Sequence, residues 1–404
     1  MPVTDLTDDT PSQEQLNKAK GSILKLPPEI VRMIFEHLGD VRCRAWLASI
    51  ATLCKVLVPE VEAALYRTVV VTSCKNVLLL YRSLNKRPYR ALTVRTFEVS
   101  TRGGASIKKP LNSVFQMLTS LERLELAVDE PSIFSLLLVA PFRLRVLVAG
   151  GSHYPTCFED ILASQPSLWR LSLTFTPKED MESIRTISRP DILPNLRSIT
   201  GFMTRRNPRF PFVLITHPYP LVHLALVGAT PGVITHAISL FGNTLIRLTF
   251  ARVVDAQSLP VCYFPTYMFR NAHLPKLERF MVIDQYNLGA HPPIPVGVDF
   301  LCPGIREACP MLKTIVWGAD SAIYDDLKLR HVNLEGTAIS AYPRMLFDIL
   351  PALERLSIYD ANSKTTISEA AMGKVFIRGE GKAMKGPEHA SIIFDDDVWA
   401  VGRD

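Results

Sequence analysis

Few cysteines, no long apolar run and no strong bias of charge set the outer limits on this chain of 404 residues. Its seven cysteines form no Cys-x-x-Cys pair, and an odd count without such pairs fits reduced, buried thiols better than a disulfide framework. The longest apolar run, Ile133 to Phe142, is broken by Ser135 and Pro141 and falls short of the roughly 18 residues that a membrane span requires. The first twenty residues hold Asp5, Asp8, Asp9, Pro2 and Pro11 instead of a basic start and an apolar centre. No secretory leader is expected from them, and residues 1–20 read as a disordered leader. The protein is therefore expected to be soluble, in the cytoplasm or nucleus or both. Forty-five Lys and Arg against 39 Asp and Glu leave a formal charge of +6. No block concentrates that charge, which argues against nucleic acid as a partner; the densest cluster, Arg205-Arg206-Asn207-Pro208-Arg209, reads as a solvated loop.

Catalytic signatures are equally scarce. There is no G-x-S-x-G elbow, no phosphate-cradling G-x-x-x-x-G-K-[ST] and no H-E-x-x-H. Ser106-Ile107-Lys108-Lys109 satisfies S-x-x-K without the elements that accompany it in serine acylases. Gly379-Glu380-Gly381-Lys382 resembles a phosphate loop in composition alone, and Asp395-Asp396-Asp397 reads as a solvated turn. Cys302 and Cys309 with His291 match no standard zinc spacing. A non-enzyme with no metal and no cofactor is the expectation.

The most specific stretch present runs from Leu26 to Leu38. Pro27 and Pro28 occupy positions where helical N–H groups lack partners in any case, and Glu29 places negative charge at the helix start. Ile30, Ile34 and Leu38 recur every fourth residue, with Met33 and Phe35 widening the stripe, so an amphipathic helix is expected. Trp46, Leu47, Ile50 and Leu53 continue at helical spacing from about Val41, and Pro59 opens a third helix. The pattern L-P-x-E-I-x-x-x-I-F-x-x-L, followed by Leu53-Cys54-Lys55-Val56-Leu57 and by Ala64-Leu65-Tyr66-Arg67 before Thr68-Val69-Val70-Val71, resembles an F-box. Leu57 departs from the Trp or Phe that many members carry there. The resemblance covers roughly residues 22 to 72 and implies docking onto the Skp-type adaptor of a cullin-RING ubiquitin ligase. By the same resemblance, Leu26, Pro27, Ile30, Ile34, Phe35 and Leu38, with Cys54, Lys55 and Leu57, would meet the adaptor. The chain has no Cys/His set for a RING of its own.

Beyond Thr68 the pattern L-x-x-L-x-L recurs, with apolar substitutes, as Leu121-Leu124-Leu126, Leu144-Leu147-Ala149, Leu168-Leu171-Leu173, Leu196-Ile199, Leu221-Leu224-Leu226, Leu245-Leu248-Phe250, Leu277-Phe280-Val282, Leu312-Ile315-Trp317 and Leu353-Leu356-Ile358, with an earlier unit at Val94-Phe97-Val99. Successive first positions lie 23 to 28 residues apart as far as Leu245 and 32 to 41 apart beyond it, so the array resembles degenerate leucine-rich repeats with late insertions. Pro166, Pro194, Pro220, Pro275, Pro310 and Pro351 stand just before the first apolar position and end the preceding element. Ser132 to Val139, Phe158 to Ala163, Val233 to Phe241 and Met345 to Leu350 have helical spacing.

The fourth and sixth positions of each unit should point inward and the third outward, by the period of two in a strand. The third position is Arg123, Arg170, Arg247, Arg279 and Arg355 in five units and His223 in a sixth. Stacked strands would bring these into a basic column suited to an acidic or phosphorylated segment, unless Glu122, Glu125, Glu278 and Glu354 neutralise it. The expected fold is α/β: a three-helix F-box over 21–72, then a curved leucine-rich-repeat-like solenoid over 73–360 with parallel strands on its concave face, and a cap or partly mobile tail over 361–404. The expected function is that of a target-recognition subunit of a Skp-cullin-F-box ligase whose repeats bind an unknown protein. The alternative is a non-catalytic repeat scaffold whose F-box-like helices pack in cis and recruit no ligase.

Overall fold

The computed structural model describes residues 25–37, 44–101, 105–152, 155–175, 192–202, 219–227, 231–254, 269, 272–286, 304–319, 346–360 and 373–378. These form an α/β protein that divides into two compact units, one comprising 1–147 and 155–164, the other 148–154 and 165–404. The first unit holds the N-terminal helices together with the first strands.

In the first unit α1 (Pro28–His37), α2 (Arg44–Leu53) and α3 (Val58–Arg67) precede strand β1 (Thr68–Val71). Ile30 and Val31 both donate their N–H to the Pro27 carbonyl, at 3.0 and 3.1 Å, which fixes the first turn beneath the two prolines. Val31, Phe35, Leu47, Ile50, Cys54, Leu57, Val61 and Ala64 close a common core, with Ile34, Trp46, Ala51 and Leu65 packed at its edge. The inward face of α1 is thus Val31, Ile34 and Phe35, at i, i+3 and i+4, rather than the expected stripe through Ile30. A helix with apolar residues around most of its girth offers two faces, and i, i+4 spacing alone does not say which one the module consumes.

After β1 come α4 (Cys74–Lys86), α5 (Tyr89–Thr93), β2 (Thr96–Thr101), α6 (Lys108–Met117) and β3 (Arg123–Val128). Strands β1, β2 and β3 pair in parallel and in sequence order, with Val69 opposite Phe97 and Phe97 opposite Leu124. Alternate residues Phe97, Val99, Leu124 and Leu126 are fully buried, as the period of two requires. Phe115 of α6 packs edge-on between Phe97 and Phe142, with ring centroids 6.1 and 5.6 Å away. The segment Pro131–Val139 is a 3-10 helix and not an α-helix. Its buried residues Ile133 and Leu136, and Phe134 and Leu137, are three apart, the period at which 3-10 side chains eclipse. Strand β4 (Val146–Gly151) follows, with its residues from Val148 onward belonging to the second unit, and α7 (Phe158–Ala163) is the last element of the first unit in sequence.

In the second unit β5 (Arg170–Phe175), β6 (Ser198–Phe202), β7 (His223–Val227), β8 (Arg247–Val254), β9 (Arg279–Tyr286), β10 (Thr314–Ala319) and β11 (Arg355–Asp360) pair parallel in sequence order. Between them lie α8 (Pro231–Phe241) and α9 (Ile305–Ala308). A short tight turn recurs ahead of the strands. Leu168, Leu196, Leu277, Leu312 and Leu353 each donate to the carbonyl three residues earlier, on Gln165, Leu193, Leu274, Cys309 and Leu350, at 3.0 to 3.2 Å. The second residue of every one of these turns is proline, whose fixed φ suits that position. The prolines therefore shape the turn itself as well as ending the element before it. Strand β12 (Gly373–Ile377) returns antiparallel along β11, and Arg378 after it donates to the carbonyls of Phe347, Leu350 and Leu353 at 2.6 to 2.7 Å.

Gly242, just past α8, is a point of close approach. A Cβ there would meet the His273 carbonyl oxygen at 2.4 Å and that of Ile238 at 2.7 Å, both backbone atoms that cannot swing aside. Gly242→Ala is expected to cost about 1–3 kcal/mol, read as a lowered urea midpoint with an unchanged m-value. An unchanged midpoint would show that the backbone around His273 yields.

Candidate functional site

Two surfaces come out of this fold, one in each unit. The first is the outer face of α1. Leu26, Ile30 and Met33 are 38, 41 and 54 % exposed, and Pro27 is exposed beside them. At i, i+4 and i+7 they form one apolar strip, while Val31, Ile34 and Phe35 hold the helix to its own core from the other side. Lys55 and Val56, on the short 3-10 turn Lys55–Leu57, are exposed as well, Val56 at 74 %.

Three residues expected at an adaptor contact lie elsewhere: Phe35, Cys54 and Leu57 are buried at 1, 5 and 5 % inside the three-helix core. Side chains that close an internal core support the helix's position and present nothing to a partner. Ile34 is only partly buried at the edge of that core, and Leu38 lies outside the described residues. Arg32 of α1 reaches Glu60 of α3 through two exposed bonds of 3.1 and 3.2 Å.

Sequence reading missed a polar network behind this module. Glu62 of α3, buried at 7 %, accepts from Arg90 Nε at 2.9 Å and Nη2 at 2.5 Å, from Arg87 at 2.5 Å, and from the Tyr89 hydroxyl. Arg90 also donates to Tyr66 Oη at 3.1 Å and Ser83 Oγ at 2.6 Å, with its guanidinium 4.9 Å over the Tyr66 ring. The hydrogen bond from Arg90 holds the Glu62 carboxyl below its usual range against the opposing effect of burial, with Tyr89 and Arg87 adding to the lowering. The signal in the sequence was Arg87-Pro88-Tyr89-Arg90, three long polar side chains in four residues after α4, facing a lone Glu in the apolar stretch Val61 to Leu65.

The second surface is the row of strand starts in the second unit. Backbone pairing sets Arg170, Ser198, His223, Arg247, Arg279, Thr314 and Arg355 side by side on consecutive strands. Arg279 and Arg355 are exposed, while Arg170 and Arg247 are half-buried. His223 belongs to the row by position and not by charge. It is 7 % exposed, its Nδ1 lies 2.9 Å from Ser198 Oγ, and burial, followed by the charges of Arg170 and Arg247, pushes its pKa down to about 3. The expected column of cations therefore has a neutral imidazole in its middle.

Burial first and Arg279 second also lower the Arg247 pKa, with Glu278 opposing them. Arg123, at the start of β3 in the other unit, meets Glu125 at 3.6 Å, so the neutralised arrangement holds there. Glu122 pairs with Arg95 and Arg145, at 3.3 and 4.0 Å, and Glu278 with Lys313 at 3.2 Å.

Ser106 is exposed on the 3-10 turn Ala105–Ile107, next to Lys108 at the start of α6. Cys302, His291, Gly379 to Lys382 and Asp395 to Asp397 lie outside the described residues. Among the described residues no group of three or more His, Cys, Asp and Glu could hold a metal ion, and no helix is long and apolar enough to cross a membrane. Set against models of known protein families and against curated proteins, the chain has no match.

Proposed function

We propose that this chain is a non-catalytic target receptor of a cullin-RING ubiquitin ligase, working in the cytoplasm or nucleus, with an F-box module that docks on a Skp-type adaptor and a leucine-rich-repeat-like array that holds a target protein. The observation that carries the reading is the second apolar face of α1. Its inner face is consumed by the module's own core, yet Leu26 and Ile30 remain outward beside Pro27. A module that served only as an internal cap would have no need of that strip. Seven parallel strands in sequence order supply a ladder on which target contacts are spaced regularly. The protein contributes positioning: it raises the effective concentration of a target lysine near a charged conjugating enzyme carried by other subunits.

Co-purification of the full chain with a Skp-type adaptor tests the reading. Ile30→Asp, on the exposed strip, is expected to leave the fold intact and to weaken adaptor capture at least about tenfold, because a carboxylate would be buried without a partner. Phe35→Asp is expected to unfold the module instead. Failure of the natural chain to bind the adaptor would leave the cis-packed scaffold.

A further inference from the structure

We infer that the outer face of α4 docks an acidic amphipathic helix of a partner protein, with Lys75, Arg82 and Lys86 meeting its carboxylates and Leu78 and Leu79 meeting its apolar stripe. This surface is separate from the α1 strip and from the strand starts, and it does not rest on adaptor capture. Lys75, Leu79, Arg82 and Lys86 stand at i, i+4, i+7 and i+11 and share one side of the helix, with Leu78 at its edge. Val77, Leu80 and Leu84, on the opposite side, are buried and hold α4 to the fold. The outward side is open: Leu78 and Leu79 are 43 and 49 % exposed, and Lys75, Arg82 and Lys86 are exposed around them.

Charge on this side has one sign. α4 contains no Asp or Glu, and neither do α5 and α6. In the sequence, Glu98 is the only carboxylate between Glu62 and Glu122. Arg32, Arg87, Arg95 and Lys313 each meet a glutamate, whereas among the described residues no carboxylate meets Lys75, Arg82 or Lys86. Cys74 Sγ lies 3.9 Å from Ser106 Oγ, which sets the turn that leads into Lys108 and Lys109 beside the start of α4.

A helix left in water would be better served by other residues. Arg82 and Lys86 repel each other at i, i+4, and Lys75 stands in the first turn, where the helix dipole disfavours a cation. Leu78 and Leu79 occupy positions at which a Glu would pair with Arg82 or Lys75. A partner with carboxylates on both sides of an apolar stripe offsets all three. From Lys75 to Lys86 the face spans about 17 Å, three helical turns, which suits a helix laid along α4. An anionic bilayer is the rival partner. An interfacial helix sinks a wide apolar face into lipid, but that face of α4 is consumed by the core and only the two leucines remain outside.

The test is fluorescence anisotropy of the full natural chain with a labelled helical peptide of about 18 residues, long enough to hold a helix in water, with leucines in one stripe and glutamates flanking it. Its controls are the same peptide with Gln for Glu, a scrambled peptide whose leucines point all round, and phosphatidylserine vesicles. The acidic peptide is expected to bind saturably and to weaken with added salt. It is expected to lose at least about tenfold in affinity both in Leu78→Ser/Leu79→Ser and in Arg82→Glu. Arg82→Glu also turns a repulsive pair with Lys86 into an attractive one, so its urea midpoint is expected to stay level or rise while binding falls. Arg145→Ser, at another exposed cation of the first unit, is expected to leave the affinity within twofold. Equal binding of the Gln or the scrambled peptide, preference for the vesicles, or unaltered affinity in the α4 variants would each overturn the assignment.

Discussion

Glu62→Leu is expected to destabilise the first unit by about 3 kcal/mol or more, because it leaves the Arg90 guanidinium, 15 % exposed, without its carboxylate. Arg87, at 42 % exposure, can turn to water and limits the loss. Tyr66 and Ser83 still accept from Arg90, but neutral oxygens do not offset the desolvation of a cation. The double variant Glu62→Leu/Arg90→Leu should cost less than the sum of the two single changes, since the charge and its partner depart together. Urea unfolding of the four proteins reads the coupling. A single change costing under 1 kcal/mol would mean that the network is solvated in solution and adds little.

The network fastens two segments of the first unit to one another. Glu62 and Tyr66 belong to α3, the last helix of the three-helix module, whereas Ser83, Arg87, Tyr89 and Arg90 come from the segment that leads into β2. If the chain is the target receptor proposed above, a joint held by directional hydrogen bonds at this place would help to hold the target in one orientation. The Glu62 carboxyl is held below its ordinary range, so the joint is at full strength above the unfolded carboxylate pKa and is lost as pH falls through the folded value.

How much of this was legible in the sequence depended on whether a feature repeats. The strands were readable because Leu-x-x-Leu-x-Leu states the period of two again and again, and the structure starts strands at the third position, at Arg123, Arg170, His223, Arg247, Arg279 and Arg355. The prolines were readable as terminators, though their place inside a recurrent turn was not, since that turn is defined by a hydrogen bond and not by composition. The α1 stripe was half legible: Val31 beside Ile30 gives two competing apolar faces, and only the core of Leu47, Ile50 and Val61 decides between them. The Glu62 network left one trace, the cluster Arg87-Pro88-Tyr89-Arg90, but its acceptor was not readable because Glu62 stands 25 to 28 residues away and belongs to no repeat. The basic row was legible in position but not in charge. Protonation of His223 depends on burial and on arginines 24 and 53 residues away, which no local pattern encodes.

That last difference leads to the other large effect, a dependence of stability on acid that is specific to His223. In the folded chain its pKa is about 3 and in the unfolded chain about 6.5, so between those values the unfolded state holds the extra proton. Stability therefore rises with pH through this window and is lost as pH falls below about 6.5, at up to about 1.4 kcal/mol per pH unit. By pH 4.5 the loss from this one residue is about 3 kcal/mol. His223→Asn, which places an amide oxygen near the former Nδ1 and within reach of Ser198 Oγ, is expected to cost stability at pH 7 but to remove this component of the acid slope. Urea midpoints of natural and variant chains at pH 7, 6, 5 and 4.5 read the difference directly, because carboxylates common to both cancel. Parallel curves would mean that the imidazole is protonated in the fold, and the row between Arg170 and Arg247 would then carry a further cation in acid. A converging pair of curves fixes His223 as the neutral member of the row, kept uncharged by its burial and by the charges of Arg170 and Arg247.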